Sequence, residues 1–468
     1  MALSVGLDTA LTGLRAAQTA TDVVSHNIAN ANTDGFTRQV VDFQAIPAVQ
    51  GWGLSNAFGV PRPGLGVDAS DIRRLRDAFL DFQYRDANSQ SSMYQRMVDA
   101  FDKLQVVFNE PTDGGLNAQI AQFFSSFRDV ASQPESVAAR ASVVQNAANM
   151  TSEVNRVAQQ LVDLRKELDQ QVSLKVQQIN TITSQVADLN QQIVATELQN
   201  GNASDLRDRR DLLVDQLSGL VPLHTTEDAK GSLTIYTQDR AIVDGAAVIK
   251  LTTVPDGANS GLQKVVYDDQ SQQPVTVGGG ELGALLAARD QVVPQQQQAL
   301  DALAQQLITS VNAAHQAGYG LDNSTGLDFF VGNSALTIGV SGTLLQSPEK
   351  LALSSQPNEP GNSDNASAIV GLQSQPLMSG GTATLEDFYR TLVATLGVGA
   401  QKAQAQSQNQ QLVLQGIEQQ RQGGSGVSLD EESTNLIRFQ RAYEASARVV
   451  TVVDGMLDTL INRTGVLG

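Results

Sequence analysis

The chain has 468 residues, 41% of them hydrophobic and 5% aromatic, with 31 Lys and Arg against 49 Asp and Glu and a net charge of −18. That length supplies apolar material for about three domains of ordinary size, and the absence of cysteine excludes disulfide scaffolds, thiol nucleophiles and Cys-ligated zinc or iron–sulfur centres. No Lys/Arg run offsets the acidity, so neither nucleic acid nor an anionic membrane surface is an expected partner.

The first residues lack the cationic and apolar regions of a cleaved secretory signal, and nowhere do about 18 apolar residues run together as a membrane span requires. From Leu3, apolar or small residues recur at Leu7, Ala10, Leu14, Ala17, Thr21, Val24 and Ile28, a 4-3-4-3 spacing that predicts a heptad helix. Ser25 to Gln39 follows, and Asn27, Asn30, Asn32, Thr33 and Gly35 lie within it. Asn and Asp bond neighbouring backbone and Gly35 can take positive φ, so Asn30 to Gly35 predicts a helix stop and sharp turn, with Phe36 anchoring the new direction. Gly64-Leu65-Gly66-Val67-Asp68-Ala69 fits a loose dinucleotide pattern, but it follows Pro61-Arg62-Pro63 instead of a strand and reads as a loop.

From Val154 through Val157, Leu161, Leu164, Leu168, Val172, Val176, Ile179, Ile182, Val186, Leu189 and Ile193 the pattern predicts a long helix. Its consecutive steps of four from Leu164 to Val176 relax the supercoil. Gly201 and Asn202 break it, and a second helix starts at Asp205, where charges of both signs through Asp211 read as a solvated face with intrahelical pairs. Residues 226–280 predict short strands at 233–236, 241–243, 248–251, 265–267 and 275–277, separated by Asp-Gly turns and a triple glycine. Helix resumes at Glu281, with a kink or restart at Pro294, and runs to Gly318. Residues 319–382, rich in Gly, Ser, Asn and Pro, read as irregular, with Leu327 to Phe330 as an anchor.

A last long helix is expected from Leu385 to Gln422, then a hinge at Gly423 to Gly426. Leu436, Phe439, Tyr443, Ser446, Val450, Val453, Leu457 and Leu460 repeat the heptad spacing of the N-terminus, making the two end helices natural partners. The fold class is therefore mainly α with a small β-rich insert. Its domains nest: residues 1–36 and 427–468 form an inner coiled coil, 37–225 and 281–426 a helical layer, and 226–280 a β-rich outer insert.

The Ser25 to Gln39 segment and the run from Gly426 to Arg448 resemble the two ends of bacterial flagellar axial proteins, the rod, hook and hook-associated group. The 154–220 helices, Arg210-Asp211-Leu212-Leu213 and Val311 to Gly318 resemble in particular the hook-associated proteins of the hook–filament junction. The resemblance implies a structural protein of the flagellum that self-assembles in a helical lattice. It also implies contacts with the hook protein and a second hook–filament junction protein, and type III export with a chaperone on the C-terminal helix. A hook or rod protein, a secreted enzyme on such a scaffold and an unrelated coiled-coil adhesin are the alternatives. The expected self-assembly residues are Leu3, Leu7, Leu14, Val24, Ile28, Leu436, Phe439, Tyr443, Val450, Val453, Leu457 and Leu460.

A search for catalytic chemistry returns little. The three histidines, His26, His224 and His315, show no metal-ligand spacing. His315 sits near a helix C-terminus, where a cation is favoured, and no nucleophile-elbow pattern is present. Asp322 to Gly326 lacks the spacing and distal Glu of a calcium loop. No cofactor, metal or enzymatic activity is expected.

Overall fold

The computed structural model describes residues 2–47, 64–112, 114–199 and 201–463. Helix α1 (Ala2–Ala29) leads through the turn into an antiparallel hairpin, β1 (Gln39–Ala45) and β2 (Val67–Arg74), which pairs Gln39 with Arg74 and carries a bulge at Asp42/Phe43. Helices α2 (Ala78–Phe108), α3 (Leu116–Ala131), α4 (Val137–Leu198) and α5 (Ser204–Leu220) follow. Then come the meander β3 (His224–Glu227), β4 (Leu233–Thr237), β5 (Arg240–Asp244), β6 (Ala247–Val248) and the separate hairpin β7 (Leu251–Pro255), β8 (Gln263–Tyr267). Helices α6 (Gly280–Ala287) and α7 (Val293–Gln316) precede a largely irregular segment with β9 (Phe330–Val331), β10 (Gly339–Val340), α8 (Gly342–Gln346), α9 (Asp364–Gly371) and two single 3-10 turns, Pro348–Lys350 and Leu372–Ser374. The chain ends in α10 (Leu385–Ser425) and α11 (Leu429–Asp458).

Helix α4 is the spine. Its 62 residues span about 93 Å at the α-helical rise, and it starts well before Val154 because Ser136 caps it, accepting from the Ala139 N–H at 3.2 Å. Val143, Val144, Ala147 and Met150 extend its buried stripe in that first part. Through the steps of four, Leu164, Leu168, Val172 and Val176 all stay buried. The spine receives the other elements partly through asparagines. Asn190 donates to Leu233 O (2.8 Å) and accepts from its N–H (3.2 Å), and Asn180 does the same with Leu251 (2.7 and 2.8 Å). Asn155 donates to Ala335 O and Ile338 O, and the buried Arg140 donates to Leu351 O.

The β insert lies beside the C-terminal half of the spine and meets α5 where Arg210 bonds Glu227. The irregular segment lies at the opposite end. There Phe123, Phe127, Phe329 and Phe330 pack edge-on or tilted with centroids 5.3–5.8 Å apart across the two segments and within α3.

Other boundaries differ for local reasons. Residues 275–277 are not a strand; their neighbour Pro274 makes one bridge to Val266, and Val275 is buried at the edge. At Pro294 the helix does not restart but runs on through a π-helical turn, Ala288–Val292, closed by Val293 N–H on Ala288 O, and the proline follows directly after that change of register. Helix α10 continues through Gly423 and Gly424, so the break before α11 narrows to Gly426–Ser428. The β1–β2 hairpin, α2 and α3 fall where the sequence pattern suggested no elements.

Candidate assembly site

Helices α1 and α11 pack antiparallel, with Asn27 against Glu432 at one end and Gly13 facing Ser446 further along, where a Cβ would come within 3.2 Å of Ser446 Oγ. Small residues make this approach possible: Ala10, Ala16, Ala17 and Ala20 are buried together with Val23 and Val24. Of the expected assembly residues, Val24 and Val453 are buried, and Leu7, Leu14, Ile28, Leu436, Phe439, Val450 and Leu457 are half-buried. Tyr443 and Leu460 are exposed, and the Leu3 side chain lies outside the described residues. The hairpin joins the pair through Phe43, whose ring lies 6.0 Å from that of Phe439.

The turn has the predicted geometry. Asn30 closes α1 by donating from its backbone (3.1 Å) and side chain (3.0 Å) to His26 O. Thr33 N–H donates to Asn30 O and Phe36 N–H to Thr33 O. Gly35 takes φ +77°, with Leu212 of α5 against the position of a Cβ, and Phe36 packs edge-on against His26 at 5.4 Å. Asn32 is exposed and makes none of these contacts. Asn27 reaches furthest: fully buried, it donates to Gln39 O (2.8 Å), accepts from Gln39 N–H (3.0 Å) and donates to Glu432 (3.1 Å). One side chain thereby joins α1, β1 and α11.

Beside it lies a set of charges that the sequence pattern alone assigns to a solvated face. Asp208, Asp211 and Asp215 of α5 are buried and pair with other elements. Arg74 of β2 bonds Asp208 (2.7 Å) and Asp211 (2.8 Å), and Arg76 bonds Asp81 (2.6 Å) and Asp211 (3.2 Å). Arg85 of α2 bonds Asp215 at 2.8 Å. Arg421 of α10 closes the set on Asp81 (2.9 Å) and Asp215 (2.6 Å), and Arg38 bonds Glu432 (2.7 Å) and the exposed Glu431 (2.8 Å). Burial pushes the Asp211 carboxyl up, but the guanidiniums of Arg76, Arg74, Arg85 and Arg210 outweigh it and hold the group far below the usual carboxylate range. At Asp208 burial prevails over the bonds from Arg74 and Thr37, and its pKa is raised.

This clasp fixes the terminal helices and hairpin to the helical layer, and sequence reasoning missed it. Two signals were available. Glu432 stands four residues before Leu436, at a seam position, and Asp208, Asp211 and Asp215 repeat at the three-and-four spacing of a buried face.

His315 has a structural role, as a neutral ring and not as the cation that a helix C-terminus favours. It is fully buried, its Nδ1 is 2.6 Å from Leu327 O and its Nε2 accepts from Ala352 N–H at 3.0 Å. That pairing requires the neutral ring with the proton on Nδ1, and burial lowers its pKa. His224 stacks on Tyr236 at 4.8 Å. Among the described residues no group of three His, Asp or Glu is placed to hold a metal ion, and no helix is long and apolar enough to cross a membrane.

Comparison with known proteins agrees with this architecture. The model described as flagella basal body rod protein matches residues 7–37, and that of the flagellar basal body rod FlgEFG protein C-terminal matches 418–463. The model of the flagellar hook-associated protein FlgK helical domain matches 101–330. Flagellar hook-associated protein 1 of Bacillus subtilis (strain 168) is 30% identical over 99% of this chain and 99% of its own length. The protein of that name from Escherichia coli (strain K12) is 26% identical over 97% and 99%. The solved structure of the flagellar hook junction protein FlgK from Burkholderia pseudomallei shares the fold, with a TM-score of 0.65 and 18% identity over 74% of this chain and 100% of that one. With both ends and the helical middle matched in one order, the chain belongs to the flagellar hook-associated protein 1 family of structural proteins of the bacterial flagellum.

Proposed function

We propose that the chain is a non-catalytic subunit that forms the junction between flagellar hook and filament by self-assembly of its terminal helices. One observation carries the reading. Of the 30 residues of α11, only Glu432 and Val453 are buried, although Ile437, Val449, Val452 and Met456 lie exposed outside the α1 seam. Each large apolar side chain contributes about 1.5–3 kcal/mol when fully buried, and an isolated pair of such helices is marginal in water. Contacts with further subunits complete the burial, so ordering and assembly are coupled.

In this reading the terminal segments 1–36 and 427–468 form the inner coiled coil, and residues 37–426 build outward from it. The hook protein and a second junction protein are the neighbours along the axis. Export runs through the flagellar type III apparatus without a cleaved signal, a chaperone covering the C-terminal helix beforehand.

Deleting the gene and viewing the cells by electron microscopy, with a blot of the medium for flagellin, tests the proposal. Bare hooks with flagellin shed into the medium are expected. Missing hooks would move the protein to the hook or rod, and intact filaments would remove it from the junction.

A further inference from the structure

Two outward faces of the helical layer are almost free of charge, in a chain of which 17% is charged. On α10 the only charged residue between Arg390 and Glu418 is Lys402. The buried Ala403 and Ser407 mark its inner side, and on the outer side Val398, Ala405 and Leu412 are exposed, seven residues apart. On α4 the only charged residue between Asp169 and Asp188 is Lys175, which is held by Glu281 at 2.9 Å. Opposite the buried Val172 and Val176, that stretch exposes Gln170, Leu174, Gln177 and Thr181. Outward helix faces ordinarily carry the charges, whereas depletion of charge marks the centre of an interface. Leu174, Val398 and Leu412 are 61–67% exposed, so nothing within the chain covers them.

Helix α2 separates the two faces and serves as a ruler. Its Asp81, Gln95 and Phe101 meet Arg421, Ser407 and Gly399 of α10. On its other side Lys103 meets Glu167 of α4, and Arg96 shares Glu281 with Lys175. Both helices therefore run antiparallel to α2 and parallel to each other, and these pairings set Ala405 and Leu174 level with Met97. One chain cannot join its own two faces, because α2 stands between them.

Resting on the assembly reading above, we propose that the outward face of α4 in one copy of this chain docks on the outward face of α10 in the next, with Leu174 seated over Ala405 between Val398 and Leu412. A second copy fits these faces for two reasons. Copies of net charge −18 approach most easily where both surfaces are neutral. The faces also stand at one height on opposite sides of the layer, so each copy offers one to each neighbour, the heterologous arrangement of a ring or helix. Ala405 leaves a hole among longer side chains into which Leu174 enters as a knob. The contact lies outside the terminal pair and ties the helical layers together side by side.

The absence of cysteine makes the test direct. The full chain carrying Leu174→Cys with Ala405→Cys is expressed in cells lacking the gene, and the isolated flagella are oxidised with copper phenanthroline. A ladder of covalent oligomers is expected, absent from either single variant and from the exported monomer. Moving the second cysteine, as Val398→Cys or Leu412→Cys, reads the height: a stronger ladder there keeps the contact and shifts the copies by about 10 Å. No ladder from any of the three pairs, in flagella that contain the variant, overturns the contact. Independently, Ala405→Glu should be exported but lose incorporation, and Leu174→Lys in the same chain should restore it. Normal incorporation of Ala405→Glu, or a loss left unrepaired, also overturns the contact. If the unaltered chain fails to restore filaments, the assembly reading falls and this contact with it; if it restores them and no ladder forms, this contact alone falls.

Discussion

Single side chains at the joints of the molecule do work that can be isolated. Gly35 occupies φ +77°, and a Cβ there would lie 3.2 Å from Leu212 Cβ. A β-branched residue in left-handed backbone costs about 1–2 kcal/mol before any clash, so Gly35→Val should swing the turn off α5 and impair junction assembly. Unchanged filaments in that variant would mean that the turn tolerates another backbone path. His315 gives a pH-dependent prediction. Its folded pKa lies below the ordinary value near 6.5, so below that pH the unfolded chain binds more protons than the folded one. Stability contributed by the neutral ring is therefore complete well above the ordinary value and declines as pH falls through it. The melting midpoint should drop from about pH 8 to about pH 5, and His315→Gln should flatten that decline while lowering the midpoint throughout. An equally steep decline in the variant would assign the effect to other groups. The buried role of His315 was hidden in the sequence because its partners, Leu327 O and Ala352 N–H, are backbone groups of a segment with no periodicity.

Between elements, the clasp decides whether the terminal helices and the spine move as one. Asp211 takes bonds from Arg74 and Arg76 and lies 3.6 Å from Arg85. Removing it leaves four guanidiniums, those of Arg74, Arg76, Arg85 and Arg421, sharing the remaining carboxylates, Asp81, Asp208 and Asp215, in a buried site. Breaking a buried ion pair from one side costs about 3–5 kcal/mol, so Asp211→Ala should destabilise the helical layer strongly, whereas Lys166→Ala, at an exposed pair 3.9 Å long, should be neutral. Urea unfolding followed by circular dichroism separates the two, and equal midpoints would show that the clasp is dispensable. The same element shows what periodicity could and could not reveal. The apolar stripe of α4 was legible from Val154 to Ile193 because a long packed helix repeats its contacts. The charges of α5 have the same helical spacing, but their partners come from β2, α2 and α10, over a hundred residues away in either direction. Only the fold shows that the face is covered. The β1–β2 hairpin stayed illegible for a related reason: exposure along β1 rises from Gln39 to Ala45 instead of alternating, and β2 varies only between half-buried and exposed residues, which blurs the period-two signal.

For the molecule as a whole, the two ends of the chain come together, α1 packing antiparallel on α11. The heptad spacings of α1 and α11 identified the pair, and the family motifs at residues 25–39 and 426–448 identified what it is for. What spacing could not reveal was that most of α11 stays uncovered in one chain, since a seam pattern does not say how many helices it meets. This gives the seam a sharp test. Leu457 is half-buried on the α1 side of α11, far from the clasp and from the spine. An aspartate there loses the apolar contact and brings a charge into a seam that has few polar groups to receive it. Leu457→Asp should therefore abolish incorporation at the junction. The helical middle, held by the α4 core and the clasp, should unfold in urea as before. Filaments on cells carrying Leu457→Asp would show that assembly does not run through this seam. A variant that also lost the helical middle would show that the terminal pair supports the fold of a single chain, contrary to the division of labour between seam and spine.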